Sequence, residues 1–234
     1  VRGASEIVIS GRSLAGVLDG FCPRCFWIQH KCTLPYQMPF PGIFSVIDSF
    51  TKRTVHGFFD RHGRLPDWYP KIGRVVDYVK NGGLLHWSRY RITHPPTGII
   101  LTGSPDDVFK LRDGSYHIVD YKTARITQVQ EELFETYKIQ LNSYAYIAER
   151  IGFKPVSGLS LIYMEPDAAR PPLRDRGAAL GFIAAHRSVE LRADRIIPPL
   201  LEEVRKVLSR STPPRGIAGC EDCEALRGLV DVVG

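Results

Sequence analysis

Long apolar runs are missing from this chain. None approaches the roughly 20 residues that a helical membrane span requires, so no membrane role is expected. The stretch Val1–Leu18 mixes Arg2, Glu6 and Arg12 with apolar residues, and it lacks both the apolar core and the small-residue cleavage site of a secretory leader. The expected location is therefore the cytoplasm. Internal repeats and low-complexity tracts are absent too, which argues against solenoid and fibrous architectures. Cysteine is scarce, with five residues. In a reducing compartment these are not expected to form disulfides, and paired cysteines call for a metal or redox reading instead.

What is present fits an ordinary folded protein. The chain has 234 residues, 44% hydrophobic and 24% charged, enough to bury one full core, so residues 1–234 are expected to form a single domain. The formal net charge of +6 favours phosphate-bearing partners, because neutralising phosphates releases condensed counterions. Many soluble proteins share that mild excess, so charge alone assigns nothing.

Periodicity divides the chain. Ser10–Asp19 reads as a short helix that runs into the cysteine-bearing segment Phe21–Trp27, and Pro35–Gly42 is rich in turns. Ile43–Arg61 predicts an amphipathic helix, with Phe44, Ile47, Phe50, Val55, Phe58 and Phe59 at near-helical spacing. Trp68–Asn81 predicts a shorter helix or an irregular segment, Leu84–Ile92 a strand, and Gly98–Thr102 another strand. Val108–Leu111 and Tyr116–Lys122 flank Arg112-Asp113-Gly114-Ser115, a hairpin signal. Gln128–Ile151 is the strongest helix. Val156–Glu165 predicts a strand ended by Pro166, and Asp167–Gly177 a loop. A further strand near Gly181–Ala185 or Ser188–Arg192 and a helix from about Leu200, past Pro198-Pro199, precede a cysteine-bearing tail.

The hairpin carries the chemistry. Side chains two apart on a strand share a face, so Asp120 and Lys122 project together. A three-residue turn at Arg112–Gly114 places Asp106 opposite Asp120, whereas a two-residue Asp113-Gly114 turn places Asp107 there. The count leaves both open. Facing carboxylates repel unless a cation lies between them, and Mg²⁺ suits one or two carboxylates plus water and phosphate oxygens. A lysine on that face can polarise water or offset charge on a phosphorane. An isolated D-x-K is more often a solvated hairpin, so Gly103 and the following helix matter. On that helix Gln140 and Tyr144 stand four apart and share a face.

Four of the five cysteines form two C-x-x-C pairs, Cys22/Cys25 and Cys220/Cys223, near opposite ends of the sequence. Four soft ligands suit zinc or an iron–sulfur cluster, and a shared site would staple residues of about 20–32 to those of about 215–225. Inert buried thiols are the plain alternative, given Phe21, Phe26 and Trp27 beside the first pair. A redox-active pair is disfavoured, since neither follows a thioredoxin-like strand.

Together, Gly103-x-x-Asp106, Asp120-Tyr121-Lys122 and Gln140-x-x-x-Tyr144 resemble, in order and spacing, the RecB-like branch of the PD-(D/E)XK nuclease superfamily. That branch includes RecB and AddB nuclease domains and CRISPR-adaptation exonucleases. The resemblance implies an α/β fold, a restriction-endonuclease-like core with a central mixed β-sheet flanked by helices. It selects Asp106 as first metal ligand, with Asp120 as second and the Tyr121 backbone carbonyl as third. Lys122 becomes the catalytic lysine, and Gln140 and Tyr144 the motif of the branch. Asp48 stands where relatives usually carry a histidine on an early helix, with His56 as the alternative. Relatives bearing a 4Fe-4S cluster usually supply one cysteine from the N-terminal side and three from the other; this chain offers two and two, with Cys32 left over, so Zn²⁺ competes.

The implied activity is Mg²⁺- or Mn²⁺-dependent hydrolysis of DNA, with single-stranded ends or flaps favoured and recombination or CRISPR-adaptation proteins as candidate partners. A catalytically weak nucleic-acid-binding or complex-forming relative is the alternative. Trp68, Trp87, Tyr90, Arg89 and Arg91 fit a single-strand path or ordinary core and surface equally well, as do Arg170, Arg174 and Arg176 in their proline-rich loop.

Overall fold

Alternation of side chains along Tyr116–Lys122 organises the molecule, because both faces of that strand are buried. The computed structural model describes residues 6–18, 20–32, 41–80, 83–125, 127, 131, 133–167 and 181–233. Among these residues, eight strands form two sheets. The larger has the order β2-β5-β6-β7-β8, formed by β2 (Val75–Tyr78), β5 (Asp107–Leu111), β6 (Tyr116–Lys122), β7 (Val156–Pro166) and β8 (Phe182–Val189). Its β6–β7 pair is parallel and its other pairs antiparallel. The smaller has the order β1-β4-β3, from β1 (Val8–Ser10), β4 (Ile99–Thr102) and β3 (Arg91–His94), with β1 parallel and β3 antiparallel to β4.

Helices cover both faces of the larger sheet. Ile118 of β6 points into a core shared with helix α4 (Phe134–Arg150) and helix α5 (Ala193–Leu208). Val119 and Tyr121 point the other way, into a second core with Phe109, Ile162 and two residues of helix α3 (Gly42–His62), Val55 and Phe59. A parallel β6–β7 pair needs a crossover, and α4 provides it. This helix is buried nearly all round, from Ile139 to Ala148, since it is packed against β7 on one side and against α5 and the short helix α1 (Gly11–Leu14) on others. Its polar residues find partners accordingly: Asn142 donates to the Glu190 carbonyl at 3.0 Å and accepts from Arg192 N–H at 2.7 Å. Two further helices, α2 (Pro23–Lys31) and α6 (Glu221–Val233), contact each other.

Several expectations change. Ser10–Leu18 holds only α1, capped by the Ser10 side chain accepting from Ser13 N–H at 3.0 Å, and a 3₁₀ turn, Ala15–Val17; Asp19 lies outside the described residues. Leu84–Arg89 is a series of turns, with the strand displaced to Arg91–His94, because the buried residues Leu85 and Tyr90 are five apart and not two. Trp68–Lys80 contains no helix: Pro70 and the left-handed Gly73 (φ +110°) interrupt it before β2, and Asn81 lies outside the described residues. The two alternative strands after Gly181 are one edge strand, β8, polar enough on both faces to hide its period. Pro198 and Pro199 lie inside α5 and not before it; the carbonyls they leave unbonded belong to Asp194 and Arg195, both exposed to water. Only the second half of α3 is buried, through Thr51, Val55 and Phe59, while Phe44 and Phe50 are exposed. Most of Pro35–Gly42, the start of the Gln128–Ile151 helix and the loop bearing Arg170, Arg174 and Arg176 lie outside the described residues. None of the described helices is long and apolar enough to cross a membrane.

Candidate active site

The chain passes from the smaller sheet to the larger at Gly103–Asp106, and a cleft of about 440 Å³ opens there. Gly103 is required by close packing: a Cβ on it would lie 2.6 Å from Cδ1 of Tyr144. The Tyr144 ring, edge-on to Tyr90, rests on the glycine, while the Tyr90 hydroxyl donates to the Tyr144 carbonyl at 2.8 Å. Tyr90 is fully buried, so it has no part in a stacking surface, and neither Trp68 nor Trp87 lines the cleft.

Hairpin register separates the two adjacent aspartates. Leu111 N–H donates to the Ser115 carbonyl at 2.8 Å, Gly114 adopts φ +88°, and Asp107 pairs with Val119. The loop is therefore the three-residue one, and Asp106 falls opposite Asp120. Asp107 turns to the other face, where it is 1% exposed. There it accepts from the Tyr121 hydroxyl at 2.7 Å and lies 2.6 Å from His56 Nε2. His56 stacks on Tyr78 at 4.1 Å and, engaged with Asp107, does not line the cleft.

Asp48, Asp106, Asp120, Tyr121, Lys122, Gln140 and Tyr144 all line the cleft. Asp106 accepts from the Tyr121 backbone N–H at 2.7 Å. In a strand, N–H and C=O of one residue leave on the same side, so the Tyr121 carbonyl is directed toward Asp106 as well. Asp120 is buried and lies 2.5 Å from the Lys122 ammonium, which also sits 4.6 Å over the Tyr137 ring. Gln140 Nε2 donates to the Tyr144 hydroxyl at 2.6 Å and, more weakly, to Asp120 Oδ1 at 3.4 Å. Burial pushes the Asp120 carboxyl up to about 6; the Lys122 charge opposes that rise and the Asp106 charge adds to it. Burial, reinforced by the negative Asp120, raises the Tyr144 phenol far above its ordinary value, so its proton stays in place.

Two further cations complete the site. Lys52, one turn after Asp48 on α3, lies 3.0 Å from Asp48 and 2.6 Å from Asp106. Burial disfavours its charge, but Asp106 and then Asp48 outweigh that and raise it. Asp48 is itself raised, by burial first and by Asp106 second. An Asp48-x-x-x-Lys52 pair on one helix face was the available signal for this residue. Arg12 lines the cleft from α1, which lies so close to α4 that a Cβ on Gly11 would be 2.7 Å from Ser143 Cβ.

The residues suit a divalent cation. Three carboxylates face two ammonium groups, and the buried acceptor Gln140 Oε1 has no hydrogen-bond donor among the described residues. Asp120 Oδ2 has only the ionic contact with Lys122. Such acceptors are what a hydrated cation satisfies. Asp106 and Asp120 stand opposite each other in register, and Asp48 is paired with Lys52 at 3.0 Å.

Away from the cleft, Cys22, Cys25, Cys220 and Cys223 converge with all sulfurs within 4.8 Å of one another, while Cys32 stays exposed outside the group.

The sequence profile of the PD-(D/E)XK nuclease superfamily matches residues 54–227, and the chain belongs to that superfamily. Its members are generally nucleases that use divalent metals, and the mixed sheets flanked by helices agree with the superfamily's fold. No curated protein matches the sequence significantly. Similar solved structures include the crystal structure of SSO0001, 11% identical, with 99% of this chain and 87% of that chain covered at a TM-score of 0.41. Another is LHK-Exo in complex with dAMP, 10% identical, with 96% and 91% covered at a TM-score of 0.36.

Proposed function

We propose that this protein is a divalent-metal-dependent deoxyribonuclease of the RecB-like branch, hydrolysing phosphodiester bonds of DNA at single-stranded ends or flaps. One observation carries the reading: Asp106 and Asp120, opposite each other in register, line one open cleft with the Lys122 ammonium beside them. Asp106, Asp120 and the Tyr121 carbonyl would hold Mg²⁺ or Mn²⁺, which when bound supplies Lewis acidity to a phosphate and lowers the pKa of water. Lys122 orients the attacking water and offsets negative charge at phosphorus. Gln140 Oε1 accepts a hydrogen bond from that water while its amide is fixed by Tyr144. Arg12 on the cleft wall offers a bidentate contact to a neighbouring phosphate.

Plasmid and single-stranded DNA cleavage with Mg²⁺ or Mn²⁺ tests the reading, comparing wild type with Asp120→Ala. Activity that survives the substitution overturns the assignment. A second reading has its own support in Lys52, whose ammonium already bridges Asp48 and Asp106 and so supplies part of the positive charge a metal would bring. On that reading the chain binds nucleic acid with little catalysis. Absence of cleavage by either protein, with retained DNA binding, favours it.

A further inference from the structure

We infer that the four cysteines hold a single tetrahedral zinc ion, not a 4Fe-4S cluster, and that this ion ties α2 to α6. Distance decides between the two. Cys22 Sγ lies 3.5 Å from Cys223 Sγ, and Cys25 Sγ lies 3.6 Å from Cys220 Sγ and 3.3 Å from Cys223 Sγ. Four thiolates around one zinc, each at about 2.3 Å, stand about 3.8 Å apart in a tetrahedron. A cubane binds each thiolate to a different iron and spreads the same four sulfurs to roughly 6 Å. Every separation here is below 4.8 Å. A disulfide is excluded as well, since its sulfurs stand about 2.05 Å apart.

The four sulfurs lie where two helices begin. Cys22 caps the N-terminus of α2 and Cys25 lies in its first turn; Cys220 precedes α6 and Cys223 lies in its first turn. Two helix N-termini, with their unpaired N–H groups and positive dipole ends, thus meet at the same four atoms. Gly216 lets the preceding loop pass close: a Cβ there would lie 2.9 Å from Cys223 Sγ and 3.6 Å from Cys22 Sγ. Zinc at this point closes a loop of nearly the whole chain, which adds its binding free energy to folding.

The inference is independent of the nuclease reading, and its test reads metal and not cleavage. Protein produced in iron-supplemented medium is measured for zinc and iron by mass spectrometry and for visible absorption. The expected result is one zinc per chain, negligible iron and no brown colour. Replacement by Co²⁺ should give the intense visible bands of four-sulfur tetrahedral cobalt. Cys220→Ser should retain zinc at least about tenfold more weakly, whereas Cys32→Ser should retain it fully. Iron near four atoms per chain with cluster absorption, octahedral cobalt, or reduced protein that takes up no zinc would each overturn the assignment.

Discussion

Replacing Asp120 by asparagine should make the metal-free protein more stable and inactive at once. The Asp120 carboxyl is 3% exposed and is pushed from 3.8 to about 6, mainly by burial. The native state therefore keeps a proton that the unfolded chain releases between those values. Wild-type stability falls relative to Asp120→Asn as pH rises through this window, and the difference levels off above about pH 6. A shift of about two units corresponds to about 3 kcal/mol, an upper bound because neighbouring charges relax. For a chain of this size that raises the melting temperature by about 6–12 °C at pH 8, and the two proteins should converge below about pH 4. Thermal unfolding across pH, in metal-depleted buffer without strong chelators, gives the curves. Adding Mn²⁺ should then raise the wild-type midpoint and leave the variant unmoved, because asparagine forfeits the anionic ligand. Parallel pH curves, or equal stabilisation of both proteins by Mn²⁺, would refute the reasoning.

The neighbouring aspartates should separate structure from chemistry. Asp107→Ala should cost about 3 kcal/mol in urea unfolding, because the Tyr121 hydroxyl and His56 lose a buried acceptor, yet cleavage per folded molecule should persist. Asp106→Ala should do the reverse, removing cleavage at small cost in stability. Gly103→Ala should destabilise by about 1–3 kcal/mol and lower activity, since the new methyl displaces the Tyr144 ring and with it Gln140. Lys52→Met should bind Mn²⁺ at least about tenfold more tightly by titration calorimetry, because Asp106 and Asp48 lose a competing cation.

Local chemistry made the centre of this molecule readable. The Arg112–Gly114 turn, the alternation along β6 and the i, i+4 spacing of Gln140 and Tyr144 are short-range signals, and the structure places those residues along one cleft. The turn left Asp106 and Asp107 unresolved, because either loop length is sterically sound; only the closed register sends Asp107 to the opposite core. Arg12 escaped because its element is distant in sequence and meets the cleft only after folding, and Lys52 was signalled only by its i, i+4 spacing from Asp48, its contact with Asp106 forming only in the fold. Strand β1 is three residues long and gains its partner, β4, from far along the chain. Proline rules misplaced the start of α5, since exposed carbonyls at Asp194 and Arg195 tolerate what a buried helix would not. The two cysteine pairs were evident by spacing, but zinc and cluster differ in sulfur separation, which no spacing encodes.

Diffraction from crystals soaked in Mn²⁺, read for anomalous scattering, tests the central claim most directly. The account predicts a peak bonded to carboxylate oxygens of both Asp106 and Asp120 at about 2.1–2.2 Å, with the Tyr121 carbonyl completing the contact. A cleft without a peak, or manganese bound elsewhere while Lys52 still bridges Asp48 and Asp106, would contradict it.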